Sequence, residues 1–140
     1  MSQSITDKDD LNSIMRASPF IELLGMEITE IDIPGETLEM KMPLSNLLSR
    51  MTVLRQIHGG AIASLIDTAA TFLVMAHKGL GTPTINIRTD YLKPADNTDL
   101  LAKARIRRIG RTVAVVDVDV FNDSEALIAI GRGTFGTKTT

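Results

Sequence analysis

The sequence predicts an α+β fold in which a curved antiparallel sheet wraps around one long apolar helix. Three observations carry this. Residues 59–76 form an eighteen-residue run with a single charge, Asp67. Segments with strand-like alternation lie on both sides of that run. The four that follow it are joined by short turns, which makes them antiparallel neighbours. One apolar helix flanked by strands is most simply buried by the sheet those strands make.

The elements follow in order. Residues 9–17 read as a short helix, with Asp9, Asp10 and Asn12 available for capping. Ser18-Pro19 ends it, because the residue before proline avoids the α region. Residues 26–33 read as a strand whose apolar phase slips once, which predicts a bulge near Thr29. Pro34-Gly35 is a turn. Residues 37–42 alternate, with Leu38, Met40 and Met42 on one face, and pair back as a hairpin. Residues 43–57 have no period and read as a long loop with room for a helical turn. A loop of that length in a compact domain is usually functional or disordered. The long helix spans residues 58–78 and is stopped by Gly79 and Gly81, with Pro83 close behind. Strands are expected at 84–92, with Ile85, Ile87 and Tyr91 facing one way, then at 101–109, 113–121 and 127–135.

A chain of 140 residues is one domain by length, 1–140, with residues 1–8 expected to be loose. It has no cysteine and two histidines, which excludes thiolate chemistry and makes a metal site unexpected. A net charge of −2, no tryptophan and one tyrosine give no drive toward nucleic acid. The apolar run is at the lower limit for a membrane span, but its mid-run carboxylate and its hydroxyls fit a buried helix better. The first twelve residues are polar and lack an apolar signal core, so the expected location is cytoplasmic.

Two places can carry chemistry. At the helix start, His58 is followed by Gly59 and Gly60. The first N–H groups of a helix have no internal partner, and with the dipole they can hold an anionic oxygen. Taken alone, the glycines are explained more simply by tight packing against a neighbouring strand. His58 fits a capping role better than that of a base. The second place is Asp67. A carboxylate in an apolar run is normally paired, solvated or functional, and both a satisfied carboxylate and a general base remain open. Asp67 lies nine residues after His58, which is roughly 13 Å along a helix and half a turn away. It cannot act on a group held at its own helix N-terminus. If both serve one reaction, donor and base come from different subunits of a two-fold dimer.

Weaker candidates read structurally. His77 complements the helix C-terminus, and the methionines fill the core. Asp117 and Asp119 are expected to be solvated on a strand face. Arg105, Arg107, Arg108 and Arg111 either solvate a hairpin or meet a phosphorylated ligand.

The run Gln56-Ile-His-Gly-Gly-Ala-Ile-Ala-Ser-Leu-Ile-Asp67 resembles the signature of hotdog-fold acyl-CoA thioesterases, and more narrowly the phenylacetate-pathway type. There HGG opens the central helix and an Asp lies seven residues beyond the second glycine. The segment TINIRTDYLKP, residues 84–94, resembles the strand that follows in that family. The likeness spans residues 20–138. It implies a hotdog fold, a homodimer or homotetramer built as a dimer of dimers, and hydrolysis of an aryl- or short- to medium-chain acyl-CoA, with no cofactor. By this resemblance Gly59 donates its N–H to the thioester oxygen, and Asp67 of the partner subunit activates water or attacks the carbonyl. Thr84 orients the water. His58, Gly60, Gln56 and Thr52 contact substrate, and Lys93, Pro94, Arg108 and Arg111 lie along the coenzyme A. The family's Asn six residues before the His and Gly three before it are Thr52 and Arg55 here. That departure motivates one rival, a non-catalytic acyl-CoA-binding hotdog protein. The pairing of His58 with Asp67 motivates another, a hydroxyacyl-thioester dehydratase.

Overall fold

The apolar run is the helix around which the other elements are arranged. A computed structural model describes residues 5–138. The elements are α1 (Lys8–Arg16), α2 (Pro19–Leu24), β1 (Glu27–Asp32), β2 (Thr37–Met42), a 3-10 turn (Asn46–Leu48), α3 (Gly59–Lys78), β3 (Thr84–Tyr91), β4 (Leu100–Ile109), β5 (Val113–Phe121) and β6 (Leu127–Gly136). The strands form one sheet in the order β1-β2-β4-β5-β6-β3, and every neighbouring pair is antiparallel. The expectation that all four strands after the helix neighbour one another in succession holds for β4, β5 and β6 but not for β3, which pairs with β6 at the sheet edge while β2 takes the place beside β4. The predicted fold class is the observed one.

Burial follows the two periodicities. Along β5, Ala114, Val116, Val118 and Val120 are buried, while Asp117 and Asp119 alternate with them on the outer face. On α3 ten residues are buried, among them Leu65, Ile66, Ala69, Ala70 and Leu73. The run that is long enough to cross a membrane thus spends one face on the sheet. Gly131 of β6 lets helix and sheet approach: a Cβ there would lie 2.7 Å from Ile66 Cγ2.

Four local readings are refined. The bulge near Thr29 is present, as a register shift between Ile28 and Glu30. Ser18-Pro19 ends α1 but also starts α2: the Ser18 hydroxyl accepts the Ile21 N–H at 3.4 Å, and Pro19 occupies the first turn. Gly25, at φ 68°, closes that helix. Ile85 and Tyr91 do not face the core. Both are more than half exposed, because β3 is an edge strand with a register irregularity between Thr84 and Asn86. Of residues 1–8, expected to be loose, Lys8 is helical and residues 1–4 lie outside the described residues.

Asp117 is not merely solvated. Arg132 grips it in a two-point hydrogen bond at 2.6 and 3.0 Å, and Arg107 approaches to 3.5 Å. The Arg132 hydrogen bond holds the Asp117 carboxyl below its ordinary value of 3.8. A depressed carboxyl stabilises the fold above its unfolded pKa and loses that contribution as pH falls through the folded one. Stability is therefore expected to fall with acidification below about pH 4, and less steeply in Asp117→Asn, as read from urea midpoints across a pH series.

The outer edge of β1 is met by a side chain at one residue. Buried Asn12 accepts the Ile28 N–H at 2.8 Å and donates to the Ile28 carbonyl at 3.0 Å, which ties α1 to the strand. Asn12→Ala leaves both backbone groups unpaired and should cost about 1–3 kcal/mol in denaturant unfolding.

Candidate active site

At the start of α3, His58 caps the helix. Its Nδ1 accepts the Gly60 N–H at 2.8 Å, and its carbonyl accepts from Ala61 and Ile62 at 3.0 and 3.3 Å. Among the described residues, no protein group takes the Gly59 N–H. Gly60 thus contributes to the cap, and Gly59 is left as the donor at the positive end of the dipole. Gly59 also packs against β3. The Tyr91 hydroxyl donates to the Gly59 carbonyl at 2.6 Å, and a Cβ on Gly59 would lie 3.2 Å from Tyr91 Cζ. The packing reading of this glycine is met, and the same arrangement leaves its N–H without a partner among the described residues.

A cleft of about 420 Å³ opens here, with Arg50, Gln56, His58, Gly59, Lys93 and Pro94 in its walls. The loop before α3 supplies part of it. Arg50 and Gln56 are joined through their backbones at 2.9 Å and their side chains at 2.6 Å. Gln56 also donates to Asp96 at 3.0 Å. The expected helical turn is the 3-10 turn, and it brings Asn46 back to Arg55, whose Nη2 donates to Asn46 Oδ1 at 3.4 Å. Thr52 is exposed and stands outside the cleft walls.

Asp67 lies on the other half of α3, partly buried. The Thr84 hydroxyl donates to Asp67 Oδ1 at 2.8 Å, and the Thr71 hydroxyl reaches the same oxygen at 3.5 Å. Oδ2 has no hydrogen-bond partner among the described residues. A second cleft, of about 370 Å³, holds Asp67 with Ser64, Thr71, Thr82, Thr84 and Phe20. The Thr82 hydroxyl is buried there without a partner among the described residues.

The two clefts share no lining residue. Strand β3 joins them: Thr84, at its start, holds Asp67, and Tyr91, at its end, holds Gly59. Lys93 and Pro94 sit with Gly59. Arg108 and Arg111 line neither cleft and flank the β4–β5 turn. That turn is at the Thr84 end of the sheet, since Thr84 pairs with Phe135, Phe135 with Ala114, and Ala114 with Ile109.

Several contributors were not singled out from sequence. Tyr91 acts through a contact that only the fold reveals. Ser18 and Phe20 reach the Asp67 cleft from α2, whose first turn hides behind an apparent helix stop. The signal was available, since serine before proline is also a helix start.

Comparison with known proteins places this architecture. The thioesterase superfamily profile matches residues 56–129. The medium/long-chain acyl-CoA thioesterase YigI of Escherichia coli K12 is 28% identical over 135 residues, covering 84% of each chain. Acyl-coenzyme A thioesterase 13 of Mus musculus is 26% identical over 137 residues, covering 96% of each. Among solved structures, zebra fish thioesterase superfamily member 2 superposes with a TM-score of 0.81 at 27% identity, covering 94% of this chain and 98% of that one. The Ralstonia eutropha phenylacetic acid degradation-related protein superposes with a TM-score of 0.78 at 26% identity, covering 90% and 98%.

The Gly59–Tyr91 contact is testable as packing. Gly59→Ala should destabilise by about 1–3 kcal/mol through crowding. Most of that cost should disappear when the same change is made in a Tyr91→Ala background, as measured by a double-mutant cycle of unfolding free energies.

Proposed function

This chain belongs to the thioesterase superfamily and has its hotdog fold, and from this we propose that it hydrolyses acyl-CoA to a free acid and coenzyme A at a site shared between two protomers. One observation carries the reading: Gly59, whose N–H is unpaired among the described residues, and the Asp67 carboxylate sit in separate clefts at opposite ends of the same edge strand. Gly59 and Asp67 are eight residues apart on one helix, roughly 12 Å of rise. A thioester carbonyl bound at Gly59 is out of reach of that protomer's own Asp67.

A two-fold dimer removes the difficulty. The outer edge of β3 is unpaired in the described chain, and it carries exposed Ile85. Antiparallel pairing of β3 with its copy, centred between Ile87 and Arg88, sets Thr84 opposite Tyr91 of the partner subunit. Each Gly59 cleft then faces an Asp67 cleft, and two equivalent sites form. The polar walls of the Gly59 cleft, with Arg50 and Lys93, suit coenzyme A. Arg108 and Arg111, at the Thr84 end of the partner's sheet, extend that basic lining.

The chemistry follows from the groups present. The Gly59 N–H and the helix dipole stabilise charge building on the carbonyl oxygen. Thr84 holds Oδ1 of Asp67, which leaves Oδ2 to take a proton from water as that water attacks the carbonyl carbon, or to attack that carbon itself. Collapse of the tetrahedral intermediate breaks the C–S bond and gives the free acid directly when water has attacked, or an acyl anhydride on Asp67 that a water then hydrolyses to the acid and the free carboxylate. The leaving thiolate, from a thiol of pKa about 8.5, needs little acid assistance.

Asp67→Asn should lower kcat for acyl-CoA hydrolysis by roughly 10²–10⁴-fold with fold and oligomer intact. Thr84→Val should lower it less, because Oδ1 loses its orienting donor while the carboxylate remains. Thiol release followed with a disulfide reagent measures both. Full turnover in Asp67→Asn would remove the role given to that residue.

A further inference from the structure

We infer that the acyl group is a straight apolar chain which leaves the Asp67 cleft over Phe20 and Leu23 of α2, and that Phe20 sets the chain lengths favoured. This rests on the hydrolase reading above. The carbonyl carbon must lie beside Asp67, so the acyl carbons next to it occupy that cleft. Its apolar lining comes from Phe20, Ile21, Phe72 and Pro83. Phe72 is buried and Ile21 half-buried, but Phe20 is 55% exposed. Leu23, three residues further along the same helix, is 58% exposed. Residues three apart share a helix face. Phe20 therefore stands in the wall of the cleft that holds the carboxylate, and exposed Leu23 is its neighbour on the same helix face. Single exposed apolar side chains are ordinary; one of this pair lines a candidate reaction site.

Two further features favour a chain over a compact acyl group. The cleft, at about 370 Å³, is at the small end of ligand sites, and its Phe20 wall is more than half exposed instead of closing the cleft off. A butanoyl group would leave Phe20 and Leu23 unused. The pair is also held in place. The Ser18 cap, Pro19 in the first turn and Gly25 at φ 68° fix both ends of α2, so little ordering is required when a chain lies on it.

The test is kcat/KM for butanoyl-, octanoyl-, dodecanoyl- and phenylacetyl-CoA with wild type, Phe20→Ala and Phe20→Leu, and oligomer mass measured alongside. Wild type should prefer octanoyl or dodecanoyl chains. Phe20→Ala should lower the dodecanoyl-to-butanoyl ratio by roughly tenfold, mostly through KM, and Phe20→Leu should retain most of it. A wild-type preference for butanoyl or phenylacetyl groups would overturn the inference. So would a loss in Phe20→Ala that is equal at every length, or an unchanged profile. Dissociation of the oligomer by Phe20→Ala would identify this helix face as a contact between copies and overturn it too. Thiol release by wild type from none of the four would instead overturn the hydrolase reading on which it rests.

Discussion

Gly59 and Asp67 are carried by one straight helix, and a helix cannot bring residues eight apart to the same point. Everything about the site follows from that rigidity. The helix N-terminus supplies an N–H and a dipole but no base. The middle of the helix supplies a carboxylate, held by Thr84 at 2.8 Å, but no oxyanion donor. Neither half is a complete catalyst. In the proposed dimer, the edge strand that touches both is the element through which a second copy would complete them.

The fold makes this arrangement by exhausting the helix's other options. Ten α3 residues are buried, and Gly131 lets Ile66 approach the sheet closely. Asp67 is on the remaining, partly exposed side, where Thr84 can reach it. At the other end the Tyr91 hydroxyl holds the Gly59 carbonyl, so the strand fixes the first turn of the helix as well as the carboxylate. On the opposite edge of the sheet, Asn12 takes up the outward N–H and carbonyl of Ile28 on β1. The edge at β3 is left open.

Much of this was legible from residues. Alternation located all six strands, the slipped phase at Thr29 located the bulge, and the solitary Asp67 in an apolar run marked the carboxylate. Helical rise showed that Gly59 and Asp67 of one chain cannot meet, so that a reaction using both would need two subunits. Other features were hidden for physical reasons. The packing of Tyr91 on Gly59 is a contact between residues 32 apart, and no local pattern encodes it. Alternation put Ile85, Ile87 and Tyr91 on one face, but on an irregular edge strand Ile85 and Tyr91 stay exposed and only Ile87 is half-buried. Ser18-Pro19 was read only as a stop, although the same pair caps α2 and so delivers Phe20 to the Asp67 cleft. Asp117 looked solvated because the arginine that grips it, Arg132, is on a different strand.

The divided site is tested most directly by mixing two subunits that are each inactive. Asp67→Asn retains the Gly59 donor. Gly59→Pro retains Asp67 but has no N–H, at a first-turn position where proline suits the helix. In a heterodimer one site receives both lesions and the other receives neither. After co-refolding in equal amounts, the mixture should recover about a quarter of wild-type acyl-CoA hydrolysis, since half the dimers are mixed and each has one intact site. Activity no greater than the sum of the two variants alone, in a mixture shown to contain heterodimers, would contradict a site shared between protomers.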